Sequence, residues 1–270
     1  MKNIYSNIYK ATNNNLKKAK IIIEKGDVVA VPTETVYGLA ANAYNTKAVI
    51  KIFSLKKRPK HNPLIIHFKN IEQIKNEAVI NKNFLKLAKK FSPGPLTYIL
   101  KKKKNSKISK ITNNSLTSIA VRIPSEKNIL KLLNILKCPL AAPSANKSKS
   151  LSPTTAKHVA EEFNGKVKMI IDGGACKIGI ESTVIDLTSK PKILREGGLS
   201  SIDIEKFLNI KIENAVLDAV SRWLPYLKIE QIIFDYDNKD IDVNSIYLEV
   251  NFSLASNPSL KEQISINIKN

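Results

Sequence analysis

Pro59 is the residue that most restricts how this chain can fold. Ahead of it, Ala48, Val49, Ile52, Phe53 and Leu55 recur at three- and four-residue steps, the spacing of one helix face. Pro59 disfavours the helical region for Arg58, so the helix has to end near Lys56 or Lys57. Beyond it, Pro63 to Phe68 is an apolar run of strand length that carries His67. Lys56 and Arg58 therefore leave the helix together, and on an extended exit residues two apart point the same way. Such a junction can grip a polyanion such as a triphosphate. A solvated basic turn would carry the same residues.

A helix is expected from Asn14 to Lys25, capped by Asn13 or Asn14 and stopped at Gly26. Val28–Val31 suits a buried strand and runs into Pro32-Thr33-Glu34-Thr35-Val36-Tyr37-Gly38, a polar cluster at a strand exit, where α/β folds place ligands. Further helices are expected over 82–91, 125–136 and 155–163. Strands are expected at Leu96–Leu100, Ser118–Pro124, Pro139–Ala142, Lys168–Ile171, Thr183–Leu187 and Lys192–Leu194. The Lys- and Asn-rich segment 101–117 reads as an exposed loop. Several strands follow one another without an intervening helix, which points to a mixed sheet rather than a doubly wound one. No glycine follows Gly198. In that tail a helix is expected over Ser200–Leu208, another over Ala215–Leu224 and a strand over Glu230–Phe234.

With 43% hydrophobic and 25% charged residues, the 270-residue chain has the composition of a soluble globular protein with ample core. No apolar run approaches the ~20 residues that span a bilayer, and the N-terminus lacks an apolar signal region. Cys138 and Cys176 lack C-x-x-C spacing, indicate neither a zinc site nor a disulfide framework, and fit a reducing cytoplasm. The net charge of +21 favours polyanionic partners, nucleotide or RNA. A chain-wide bias towards Lys, Asn and Ile yields the same number without a binding patch.

The chain contains no G-x-x-x-x-G-K-[ST] loop, no G-x-G-x-x-G fingerprint and no G-x-S-x-G elbow. A nucleotide would have to be held by scattered side chains. Ser144 has no recognisable base partner for a nucleophilic role. Ser144 and Asn146, two apart, can orient a ligand or cap a helix. His67 can be a satisfied core histidine or a ligand group. Arg122, on an apolar strand, needs a carboxylate or phosphate partner.

Seven stretches together carry a resemblance over residues 20–200: VPTETVYGLAANA, IFSLKKRPKHNPLIIH, FSPGPLT, SIAVRIP, LAAPSANKSKSLSPT, IDGGACKIGIESTVIDL and ILREGG. In order and spacing they resemble the YrdC-like family of threonylcarbamoyl-AMP synthases. The resemblance implies an α/β fold, a curved and twisted mixed sheet with flanking helices around a basic cavity, plus a short C-terminal extension. It implies a catalytic domain over 1–208, with 209–270 a linker and the truncated remnant of a second domain. The implied activity is nucleotidyl transfer: L-threonine, bicarbonate and ATP give threonylcarbamoyl-adenylate and pyrophosphate. A separate threonylcarbamoyl transferase then modifies adenosine 37 of tRNA. By the same resemblance Lys56, Arg58, Ser144 and Asn146 form the catalytic signature. Thr35, His67, Arg122, Ser144 and Ser182 fall on the threonine side. Lys56, Arg58, Asn62, Ser118, Asn146, Thr154 and Arg195 fall on the ATP side. Mg²⁺ is expected with ATP and without a metal site of the protein's own, and weak tRNA contact is compatible with the charge.

Two departures from the family pattern stand out. Ser221-Arg222-Trp223-Leu224-Pro225-Tyr226 is a faint echo of the linker thought to cover the family's active site, and IYLEVNFSLASNPSLKEQ resembles the opening of a second domain that then stops. Lys57 occupies a position where the family tends to have glycine, at an expected exposed turn. Two other readings remain: a non-catalytic RNA-binding module of the same fold, and a carbamoyl-adenylate-forming relative without a threonine pocket.

Overall fold

The computed structural model describes residues 3–148 and 150–214, and beyond these only the strands Leu227–Ile233, Ile246–Leu254 and Asn257–Ile268. The chain divides into two compact units, Met1–Asn214 and Ala215–Asn270.

The first unit runs β1 (Ile8–Lys10), α1 (Asn13–Glu24), β2 (Val29–Val31), β3 (Gly38–Asn42), α2 (Thr46–Lys56), β4 (Ile65–His67), α3 (Ile71–Glu77) and α4 (Lys82–Phe91). It continues β5 (Leu96–Lys101), β6 (Ser118–Arg122), α5 (Lys127–Ile135), β7 (Leu140–Ala141), α6 (Ala156–Phe163), β8 (Ile170–Asp172), β9 (Thr183–Asp186), β10 (Lys192–Arg195), α7 (Ser201–Leu208) and β11 (Glu213–Asn214). Its strands form one mixed sheet in the order β1-β8-β2-β3-β7-β4-β6-β5-β9-β10-β11. β4 runs parallel to β6 and β5 parallel to β9, while β5–β6, β3–β7 and β4–β7 are antiparallel. The expected mixed sheet with flanking helices is the architecture observed.

The sheet is buried on both faces, and the two-residue period of its strands sorts the core. Val29 and Val31 of β2 pack with Leu16, Ala19 and Ile23 of α1 and Ile129, Leu132 and Leu133 of α5. Ala30, between them, belongs to the opposite layer with Leu39, Val49, Ile52, Phe53, Ile66 and Phe163. Polar caps start the helices. Asn45 accepts from the Ala48 amide and Asn81 from the Phe84 amide. Thr12, rather than the expected Asn13 or Asn14, caps α1. Its extended backbone brings the hydroxyl to the Asn15 amide, and the two asparagines already lie within the helix.

Segment 101–117 differs from expectation. Lys101, Lys104, Lys107 and Lys110 are exposed, but Lys102 donates to the Ile108 carbonyl at 2.8 Å, and Ile108, Thr112 and Asn113 are buried around a 3₁₀ turn at Lys110–Asn113. The Thr112 carbonyl accepts the Leu64 amide at 2.7 Å, which fixes the entry into β4. In the second unit the three strands form an antiparallel sheet in chain order. Its first strand, Leu227–Ile233, covers most of the one expected over Glu230–Phe234. The helix expected over Ala215–Leu224 and the linker echo at 221–226 lie outside the described residues.

Candidate functional site

A cavity of about 470 Å³ opens over β4, β6, β5 and β9 and is lined by Thr35, Arg58, His67, Ser118, Arg122, Ser144, Ser182 and Arg195, among others. A volume in this range suits a small molecule or nucleotide. Residues spread over the sequence converge because the sheet order makes neighbours of distant strands. His67 ends β4 directly beside Arg122, the end of β6. Ser182 precedes β9, whose partner is β5, and Arg195 ends β10 against Val184.

The α2 exit places the two cations of the K-x-R pair differently. Lys57 adopts a left-handed backbone (φ 49°), its amide reaches the Ser54 carbonyl, and the Arg58 amide reaches back to Phe53. The exit is thus a left-handed turn, not the extended one expected, and Lys56 and Arg58 do not share a face. Arg58 lines the cavity, held by its Nε on the Asn62 carbonyl (3.2 Å) and its Nη2 on the Pro63 carbonyl (3.0 Å). Lys56 turns into the protein and is fully buried. Its ammonium donates to the carbonyls of Ser144 (2.5 Å) and Asn146 and to Asn146 Oδ1 (3.2 Å). Burial, with Arg58 nearby, lowers its pKa to about 8.

That contact shapes the opposite wall. The Asn146 amide continues to the Ser150 carbonyl, and the Ala145 amide donates to the Tyr37 carbonyl at 2.7 Å. Gly38 forms a bridge with Ser144; a Cβ on it would lie 3.4 Å from that of Ala142, so the two segments can close up. Ser144 faces the cavity, whereas Asn146 lies behind it.

Arg122 meets its anion within the chain. Its Nη2 pairs with Glu34 at 2.7 Å, Nη1 donates to Thr35 at 3.0 Å, and Nε donates to the Gly94 carbonyl at 3.2 Å. Arg195 donates Nε to the Ser182 carbonyl, Nη2 to the Ser182 hydroxyl and Nη1 to Glu181. Gly197 secures this edge, since a Cβ there would sit 2.3 Å from the Glu181 carbonyl oxygen.

His67 is buried, and neither ring nitrogen has a hydrogen-bond partner. Burial, reinforced by Arg122, pushes its pKa down to about 3, so the ring is neutral. The imidazole lines the cavity, but both of its nitrogens are closed to solvent, with the Ile65 backbone the polar group nearest in effect. His67 thus combines features of both readings: it is buried like a core histidine, and its ring forms part of the cavity wall.

Besides Lys56 and Asn146, two more residues assigned to the ATP side, Asn62 and Thr154, do not line the cavity. Asn62 is exposed and offers Arg58 its carbonyl. The Thr154 hydroxyl is 3.4 Å from His158 Nδ1, and its carbonyl accepts the Cys176 amide. The sequence reading passed over three carboxylates of the site, Glu34, Glu181 and Asp186. Glu34 belongs to the polar strand exit singled out earlier and Glu181 precedes Ser182, but nothing in the sequence pairs either with its arginine. Among the described residues no group of three or more His, Cys, Asp or Glu side chains forms a metal cluster.

The sheet order and this cavity define an α/β protein that brings arginines, hydroxyls and a neutral histidine together around one cavity. The Sua5/YciO/YrdC family model, described as telomere recombination, matches residues 21–197. The chain belongs to this family. It is 50% identical over 197 residues to the threonylcarbamoyl-AMP synthase of Pyrococcus abyssi, an alignment covering 72% of this chain and 57% of that protein. It is 40% identical over 212 residues to the Bacillus subtilis protein of the same name, covering 77% and 61%. The crystal structure of Pyrococcus abyssi Sua5 complexed with L-threonine superposes with a TM-score of 0.74 at 46% identity, over 77% of this chain and 62% of that one. The chain therefore spans about three fifths of the length of these relatives.

Proposed function

We propose that the protein makes threonylcarbamoyl-adenylate from L-threonine, bicarbonate and ATP, releasing pyrophosphate. The observation that carries the reading is the convergence of Arg58, Arg122, Arg195, His67, Ser144 and Ser182 on one cavity. The relative solved with L-threonine supports a threonine subsite beside Thr35, His67, Arg122 and Ser182.

In the proposed reaction the threonine amine and bicarbonate combine with loss of water to give a carbamate. A carbamate oxygen then attacks the α-phosphorus of ATP, and the bond to pyrophosphate breaks. Both partners are anions, so the protein's task is to neutralise charge and align the reacting atoms. Arg58 and Arg195 would face the phosphates. Lys56 would act through the loop it holds, setting Ser144. The neutral His67 would form part of the wall beside threonine. Mg²⁺ would enter on the phosphate oxygens, because Glu34 and Glu181 are bound to arginines and Asp186 to Thr188. The product would pass to a cytoplasmic transferase that modifies tRNA.

The test is pyrophosphate release by the purified protein with ATP, Mg²⁺ and bicarbonate, with and without threonine. Threonine-dependent release is expected. Threonine-independent release would instead favour a carbamoyl-adenylate activity. Absent release, with salt-sensitive RNA binding that survives Arg58→Ala, would favour the RNA-binding module.

A further inference from the structure

The three arginines that reach the cavity are held in three different ways. Arg122 is locked to Glu34, the two side chains only 4% and 6% exposed. Opening that pair would strand a buried charge, so it belongs to the fixed wall. Arg58 donates to two backbone carbonyls, and among the described residues no carboxylate pairs with it. Arg195 is bound to Glu181 in a pair whose side chains are 37% and 35% exposed. The pair is half-buried and faces the cavity, so a phosphate entering there can reach the guanidinium, whereas the closed Arg122–Glu34 pair gives it no such access.

Glu181 is an unusual residue for the wall of an anion site. It lines the cavity together with Arg58, Ser144 and Arg195, and its Oε1 accepts the Ser152 hydroxyl at 3.1 Å. A polyphosphate entering there meets a negative charge on one of its own cationic contacts. A general-base role does not suit it. Burial works to raise its pKa, but Arg195, the Ser152 and Ser144 hydroxyls and Lys56 outweigh that and hold it below the ordinary carboxylate range.

On the reading of this cavity as an ATP site, we propose that Glu181 is a built-in competitor for nucleotide phosphate, occupying on Arg195 the position a phosphate oxygen takes when ATP binds. One anion replaces another on the same guanidinium, and Ser152 keeps a hydrogen bond on the displaced carboxylate. Residue 181 thereby sets the affinity for ATP and eases the departure of pyrophosphate.

The test is calorimetric titration of MgATP, and separately of pyrophosphate, into the full chain, Glu181→Gln, Glu181→Ala and Arg58→Ala, with melting curves alongside. Glutamine has the shape of glutamate and retains an acceptor for Ser152 and Arg195. Both Glu181 variants are expected to bind ATP and pyrophosphate about three- to tenfold more tightly, and less so as salt is raised. Arg58→Ala is expected to lose most of the affinity. A brace for Arg195 would give the opposite sign, so unchanged or weaker binding by the folded Glu181 variants overturns the proposal. If the unaltered protein and Arg58→Ala bind ATP equally, or neither binds it, the ATP site itself fails and the inference falls with it.

Discussion

The ammonium of Lys56 lies 2.5 Å from the carbonyl oxygen of Ser144, a residue 88 positions further along the chain. This contact, with those to Asn146, ties the end of α2 to the loop that carries Ser144 into the cavity. Arg58, two residues away, serves the cavity directly. The two cations of one motif should therefore fail differently. Lys56→Met should lower stability by about 2–4 kcal/mol, because it leaves buried carbonyls without their charged donor, and should weaken ATP binding too. Arg58→Ala should abolish most ATP binding while changing stability by less than about 1 kcal/mol. Urea unfolding beside ATP titration separates the two; equal stability losses would contradict the assignment.

Glu34→Ala leaves the Arg122 guanidinium buried without its carboxylate, and a loss of about 3–5 kcal/mol is expected. Replacing both partners, Glu34→Ala with Arg122→Leu, should recover part of that loss, because the stranded charge is gone. Denaturant midpoints of the two single variants and the double variant provide the check. Additive losses would mean that the pair is not coupled.

His67 makes stability depend on acidity. Its pKa is about 3 in the folded protein, below the ordinary histidine value of 6.5. Between these values the unfolded chain holds a proton that the folded chain refuses. The contribution is thus intact above pH 6.5 and is lost progressively as pH falls towards 3. Going from pH 7 to pH 5 should remove about 2 kcal/mol through this group, and His67→Asn should flatten that part of the profile. Equal slopes for the two proteins would contradict the buried neutral ring.

Lys57 pays a left-handed backbone penalty that glycine would avoid, and its side chain is exposed. Lys57→Gly should therefore raise stability by about 0.5–1 kcal/mol without altering the cavity, once glycine's greater freedom in the unfolded chain is deducted. The measurement is the shift in melting temperature; a decrease would mean that the turn is held by the lysine side chain.

Much of this architecture was legible because its signals are local. Apolar runs such as Val28–Val31, the helical spacing of residues 48–55 and the breaks at Gly26 and Pro59 each report on a few neighbouring residues. β3 was not anticipated, because Gly38-Leu39-Ala40-Ala41-Asn42 lacks β-branched and aromatic residues and becomes a strand only through its neighbours β2 and β7. The site divides in the same way. The motifs pointed to Thr35, Arg58, His67, Ser118, Arg122, Ser144, Ser182 and Arg195, which line the cavity, and also to Lys56, Asn62, Asn146 and Thr154, which do not; how any of them is partnered was not readable. The inward turn of Lys56 follows from a left-handed residue that its own type does not favour. The bonds from Arg122 to Glu34 and from Arg195 to Glu181 arise only when the sheet closes.

The two-residue strand β11 pairs in parallel with β10, which carries Arg195. A protein cut at Leu208, where the sequence suggested the first domain would finish, would lose that strand. The hydrogen-bonding flank of β10 would then lie open as a template for a neighbouring molecule. A trimmed version meant to remain dispersed in solution should keep residues 209–214.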